Sequence, residues 1–194
     1  MDSHQLILAS VARYIELDAR EQEIFTSLLV SKTIKKHEFL LRQGEVCKTE
    51  NFIVKGCLRK YTIDENGQDH IILFGVEDWW MSDLYSFLTQ NPSPYFVDAL
   101  EDSEVLQITR EKIDFLYEAV PKFERFFRIL LQNTVIAHQR RINQNLSMSA
   151  KERYLDFISQ CPTIEQRLSQ KQIASYLGIT PVFLSMLRKE LSGK

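Results

Sequence analysis

The stretch "LSQKQIASYLGITPVFLSMLRKEL", Leu168 to Leu191, decides how the rest of the chain is read. Ser169 stands three residues before Gln172. That is the spacing of a capping box, in which a hydroxyl accepts an unpaired backbone N–H of the first helical turn and an amide reaches back to the cap. Ile173, Ala174 and Leu177 give the helix an inner face, and Ala174 is small where two helices would cross closely. Gly178 supplies the left-handed residue that a tight turn after a helix requires. Thr180 can cap a second helix with Pro181 in its first position, and Leu184 and Leu187 fall on its inner side. Caps, small residue, glycine and leucines agree in register, which is the helix-turn-helix pattern. The competing reading of the same residues is a helical hairpin inside a bundle.

In a helix-turn-helix the N-terminal residues of the second helix face base edges in the major groove. Here they are Pro181, Val182 and Phe183, followed by Ser185 and Met186. None offers the bidentate pairing of Arg with guanine or of Asn or Gln with adenine, whereas Val182 can touch a thymine methyl and Ser185 can make one hydrogen bond. Lys171, Arg188 and Lys189 can reach phosphates, which fix register and carry no sequence information. The expected DNA-contacting set is Ser169, Gln170, Lys171, Thr180, Pro181, Val182, Ser185, Met186, Arg188 and Lys189.

Charge supports a polyanion partner for this end of the chain. The net charge of −2 over 194 residues divides unevenly: residues 1–109 hold 10 Lys+Arg against 18 Asp+Glu, and residues 110–194 hold 14 against 8. Such a split suggests nucleic acid for the basic half, although solvated helix faces also carry excess base.

Upstream, apolar residues between Leu6 and Leu29 recur at helical spacing, enough for two helices. From Thr33 the period shortens. "EFLLRQGE", "ENFIVKGCLRKYTI", "DHIILFGV", "YFVDAL" and "SEVLQIT" are short runs rich in β-branched and aromatic residues, punctuated by Gly44, Gly56, Asn66-Gly67 and Asn91-Pro92. Asn-Gly between two such runs is a hairpin signal, and many short strands suggest an antiparallel barrel or roll. "REKIDFLYEAV" is helical again. Pro121 then starts a helix running to Ser147, whose apolar residues from Phe123 to Ile136 cover more than one face. The surplus predicts a second packing partner, either a copy of the chain or the C-terminal helices. Phe126, Phe127, Leu130, Leu131, Thr134, Ala137 and His138 are the expected dimer contacts. "SMSAKERYLDFI" opens with another capping box, Ser149 and Glu152.

A roll, a long helix and a terminal helix-turn-helix, in that order, resemble the cyclic-AMP-receptor/Fnr (Crp/Fnr) family of bacterial transcription regulators, and the resemblance covers nearly the whole chain. "FLLRQGE" and "NFIVKGCLRKY" resemble the family's early strands. "FGVEDWWMSDLYSFLTQNPSPYFVDALEDSEVL" resembles its phosphate-binding cassette, and "SQKQIASYLGITPVFLSMLRKEL" its reader. The resemblance implies an α+β chain: an N-terminal antiparallel β-roll or jelly roll over 1–120, a dimerisation helix over 121–147 and a helix-turn-helix domain over 148–194. It implies a homodimer that binds double-stranded DNA, with a small-molecule effector of unidentified class as a further candidate partner.

Two departures from the family pattern qualify what is carried over. The cassette's Gly-Glu-Leu run falls on Ser82-Asp83-Leu84, and its Arg followed by Ser or Thr falls on Ser93-Pro94. Residues 61–109 hold no Lys or Arg against ten acids, so a phosphate would enter without a cationic partner. The expectation is a degenerate pocket of Trp80, Ser82, Asp83, Leu84, Ser93 and Pro94 that binds neither cyclic AMP nor cyclic GMP. The family's base-contacting Arg, Glu and Arg fall on Pro181, Val182 and Met186. The run Trp79-Trp80-Met81 either lines a pocket for an apolar ligand or plugs the roll.

Other chemistry finds no residues. Cys47, Cys57 and Cys161 are dispersed and form no CxxC pair, which predicts no disulfide framework, metal site or iron–sulfur cluster and suits a cytoplasmic protein. A lone His138 is weak ground for haem, so no cofactor is expected. With no nucleophile elbow or phosphate loop, the chain reads as no enzyme. No apolar run approaches the roughly 20 residues of a membrane span, so no membrane partner is expected. A different class, a protein-interaction module whose helix-turn-helix no longer reads DNA, is the alternative reading.

Overall fold

A computed structural model describes residues 3–160 and 162–193; Cys161 lies outside the described residues. Two helices come first, α1 (Ser3–Ala12) and α2 (Ala19–Leu28). The second opens on a capping box in which the Asp18 side chain accepts from Glu21 N and Glu21 reaches back to the cap. Eight strands follow: β1 (Val30–Ile34), β2 (Phe39–Leu41), β3 (Thr49–Lys55), β4 (Leu58–Ile63), β5 (Asp69–Gly75), β6 (Trp80–Met81), β7 (Phe96–Ala99) and β8 (Ser103–Thr109). A short helix, α3 (Leu84–Thr89), lies between β6 and β7.

The strands form two four-stranded sheets, ordered β1-β8-β3-β6 and β2-β7-β4-β5. β8 is the axis of the first. It pairs antiparallel with β1 from Val30↔Gln107 to Ile34↔Ser103, and with β3 from Thr49↔Thr109 to Lys55↔Glu104, with a bulge between Ile53 and Lys55. Gly56 follows that bulge at φ +106°, and a Cβ there would lie 2.1 Å from the Ser103 hydroxyl, so only glycine fits. Gly67 takes a positive φ in the expected β4–β5 hairpin turn. The roll is filled by Phe52, Ile53, Leu58, Met81, Val105, Leu106 and Ile108.

After β8 come α4 (Arg110–Ala119) and α5 (Lys122–Ser147). The 26 residues of α5 make it about 39 Å long at 1.5 Å per residue. The expected two faces resolve early in the helix. Phe123 and Phe126 are fully buried. Phe123 packs on Phe25 with ring centroids 4.5 Å apart, and Phe126 meets Tyr14 edge-on at 5.9 Å. Phe126, expected at a dimer contact, is therefore part of the roll's own core.

The chain clusters into two compact units, which divide it differently from the three-part reading of the sequence. One comprises residues up to Lys60 with Phe74–Thr134; the other comprises Tyr61–Leu73 with the chain from Val135 onward. The second unit holds α6 (Ala150–Gln160), α7 (Ile164–Arg167), α8 (Gln170–Leu177) and α9 (Pro181–Ser192). Its core is Tyr154, Phe157, Ile164, Leu168, Ile173, Ala174, Leu177, Leu184 and Leu187. Within this unit Arg141 of α5 donates to the carbonyls of Ile71, Ile72 and Tyr176 and stacks on the Tyr176 ring. The Ser175 hydroxyl donates to Asp69 O and accepts from Ile71 N at 3.1 Å. No described helix is long and apolar enough to cross a membrane.

Candidate nucleic-acid interface and sensor roll

The helix-turn-helix is built as its sequence spacing requires. Ser169 accepts from Gln172 N while the Gln172 side chain accepts from Ser169 N at 2.8 Å. Gly178 ends α8 at φ +67°, and Ile179 N closes the turn on Ala174 O at 3.0 Å. Thr180 accepts from Phe183 N, with Pro181 in the first turn of α9. Leu184 and Leu187 are buried, which turns the opposite face outward.

That outward face is mostly apolar. Val182 is 72% exposed, Met186 64% and Phe183 44%. Ser169, Gln170, Lys171, Thr180, Pro181, Ser185 and Lys189 are exposed as well, so nine of the ten expected contacts lie open at the surface. The tenth, Arg188, is half-buried and engaged inside the fold. Its guanidinium pairs with Glu165 at 2.6 Å and donates to the Tyr154 hydroxyl at 3.1 Å. Arg188 thus braces α9 against α7 and α6, and a phosphate would have to compete with a carboxylate already in place. Lys171 and Lys189 have no ion-pair partner among the described residues. The charge surplus of this half is otherwise largely committed: Arg140 pairs with Asp156 and Lys151 with Glu190, and Arg153 donates to the Met148 and Leu177 carbonyls.

In the roll, two of the residues matched to the cassette, Ser82 and Asp83, meet a cation that the window 61–109 lacks. It arrives from β4, just before that window. Lys60 is 9% exposed; its Nζ donates to Ser82 O at 3.2 Å and lies 5.1 Å from the Tyr95 ring centre. Ser82 donates through its hydroxyl to Glu50 at 2.8 Å. Burial pushes the Glu50 carboxyl up to about 7, opposed by the Ser82 hydrogen bond and by Lys60. Burial lowers the Lys60 ammonium, opposed by Asp83 and Glu50. Asp83 is 2% exposed, and its Oδ2 has no hydrogen-bond partner. Arg59, the neighbour of Lys60, grips Asp98 with two bonds of 2.7 and 2.9 Å.

The remaining cassette positions are structural. Leu84 starts α3. Ser93 is buried; its N–H donates to Glu45 O and its carbonyl accepts from Gly44 N, both at 2.8 Å, while Pro94 is exposed. Trp80 packs edge-on against Phe52, Phe126 and Phe127, with its indole N–H buried and unpartnered. Met81 is buried and Trp79 is 41% exposed, so the plug is made by Trp80 and Met81 while Trp79 faces out. A cavity of about 210 Å³ nevertheless remains, lined in part by Lys32, Cys47, Lys48, Asn51, Met81 and Ser82. Burial raises the Cys47 thiol, which makes it a poor nucleophile there. No group of three or more His, Cys, Asp or Glu placed to hold a metal occurs among the described residues.

The cyclic nucleotide-binding domain family matches residues 31–119, the span of β1 through α4. The fumarate and nitrate reduction regulatory protein of Vibrio cholerae is 29% identical over 94% of this chain and 75% of its own length. Over most of its length the chain is similar to transcription regulators of the Crp/Fnr type. The anaerobic regulatory protein of Haemophilus influenzae, 29% identical, is matched over 80% of this chain and 64% of its own length. Among solved structures FixK2 from Bradyrhizobium japonicum has the same fold, with a TM-score of 0.73 at 16% identity over 85% of each chain.

Proposed function

We propose that this chain is a Crp/Fnr-type regulator, that it acts as a homodimer on double-stranded DNA and that its roll takes neither cyclic AMP nor cyclic GMP. The observation that carries the DNA reading is the doubly capped helix-turn-helix, which leaves the first turns of α9 exposed, with Lys171 and Lys189 exposed and without an ion-pair partner among the described residues. Helix-turn-helix proteins enter the major groove with just those turns.

The dimer reading rests on α5. Beyond Phe126, Leu131 is 40% exposed, Val135 55%, Ile142 58% and Leu146 82%. With His138 they recur at steps of three and four, the spacing of a helix seam that pairs with its copy. Of the expected contacts, Thr134, Ala137 and His138 are exposed beside this stripe, Leu130 is half-buried, and Phe127 is half-buried against Trp80 and Tyr117. Against nucleotide binding stand the engaged cations: Arg59 is tied to Asp98, and Lys60 donates to Ser82 O within the field of Asp83 and Glu50. Beside Lys60 a cyclic phosphate would also meet Asp83 and Glu50, whereas the cations lining the cavity itself are Lys32 and Lys48. An effector of another class is left the 210 Å³ cavity. The exposed apolar face of α9 favours the second reading, a helix-turn-helix that docks a protein.

Gel shifts with a salt series and competitor DNA decide between the two. Sequence-preferential, salt-dependent binding is expected; equal binding to all duplexes, or none, sinks the DNA reading. Calorimetry with cyclic AMP and cyclic GMP should register no micromolar binding.

A further inference from the structure

The first turns of α9 face outward with a chemistry that suits one feature of duplex DNA. Val182 and Met186 are four residues apart and share a face, with Ser185 between them and Lys189 three residues further on. Leu184 and Leu187 hold the opposite face in the core. Val182 and Met186 are 72% and 64% exposed, and Phe183 flanks them at 44%. Pro181 has no backbone N–H to donate, Thr180 is occupied as the cap, and Arg188 is held by Glu165 and Tyr154. No side chain on the outward ridge can pair bidentately with guanine or adenine.

In the major groove, one base carries an apolar group: the C5-methyl of thymine. We propose that this reader selects its sites through thymine methyl groups packed against Val182 and Met186, so that its half-sites are specified by T·A pairs and only weakly by G·C pairs. This rests on the DNA-binding reading above. Lys171 and Lys189 supply the charge that holds an otherwise apolar ridge in the groove, since neither has an ion-pair partner among the described residues. Phe183 closes one side of the ridge and excludes water from the methyl contacts. Ser185 contributes at most one hydrogen bond, to any base edge that offers an acceptor or a donor.

Deoxyuridine tests this directly, because it pairs as thymine does and lacks only the methyl. A randomised-duplex selection with the full chain should enrich sites with thymine, on either strand, at the positions facing α9. Replacing each such thymine by deoxyuridine should weaken binding about fourfold per contacted methyl, the factor expected for burying one carbon group. Val182→Ala with Met186→Ala should bind the thymine and deoxyuridine sites alike. Both side chains are exposed, and circular dichroism will verify that the variant stays folded. An enriched site that binds equally in both forms, or one fixed by G·C pairs, overturns the proposal and leaves DNA binding standing. If no duplex is enriched, both readings fall and the apolar ridge is a protein-docking surface.

Discussion

The Ser82 hydroxyl donates to the Glu50 carboxylate at 2.8 Å, at the point where the Ser82 carbonyl receives Lys60. The bond ties β3 to the loop that follows β6; Glu50 is half-buried, and desolvation, opposed by this bond, raises its carboxyl to about 7. The folded chain keeps the Glu50 proton up to that pH, whereas an unfolded chain releases it near the ordinary value of 4.5. Between the two, the folded state binds more protons, so stability falls as pH rises through this window. The loss is on the order of 3 kcal/mol at full ionisation. Urea melts from pH 5 to pH 8 should show this decline, and Glu50→Gln should flatten it. An equal slope in both proteins would assign the effect elsewhere.

Arg59 and Asp98 form the most enclosed ion pair of the roll, with side chains 14% and 5% exposed. Removing only the cation leaves a buried carboxylate without its bidentate donor. Arg59→Ala should therefore destabilise the chain by about 3–5 kcal/mol. Arg59→Met with Asp98→Leu removes both charges and should recover most of the loss. Thermal melts of the three proteins check it; a single variant as stable as the double one refutes the account.

The legible parts of this chain are those in which local chemistry and fold agree. The caps at Ser149, Ser169 and Thr180, the turn at Gly178 and the hairpin at Asn66-Gly67 all depend on residues within a few positions of each other, and each forms as read. The errors concern partners distant in sequence. Arg188 looks like a free cation until Glu165 and Tyr154 fold against it. Phe126 looks like a seam residue until Tyr14 and Trp80 cover it. The absence of Lys and Arg from 61–109 is true of the sequence, yet β4 delivers Lys60 to Ser82 from a neighbouring strand. The one local signal was a pair of charged residues, Arg59-Lys60, inside an apolar strand. A lysine in such a position points to a buried partner.

The exposed stripe on α5 predicts where association fails. Ile142→Glu would place a charge in the seam between two copies and should weaken association by several kcal/mol. Ile142 is 58% exposed in the single chain, so the fold itself should tolerate the change. Sedimentation equilibrium should give a monomer for Ile142→Glu and for Val135→Glu. A dimer that persists with both substitutions rules out this seam.

Salt dependence separates the cations proposed to contact DNA from the one that braces the fold. Lys171 and Lys189 are exposed, and each phosphate contact they make releases condensed counterions from the duplex. Lys171→Ala and Lys189→Ala should each weaken binding to selected and random duplexes alike and lower the slope of log K against log salt by about one. Arg188→Ala acts differently. It removes the partner of half-buried Glu165 and the donor to buried Tyr154, and should cost about 1–2 kcal/mol of folding stability. Below its melting transition that variant should retain the parent's salt slope, because the guanidinium lies against Glu165 and Tyr154. A drop of one in the slope for Arg188→Ala, with stability unchanged, would return Arg188 to the phosphate contacts.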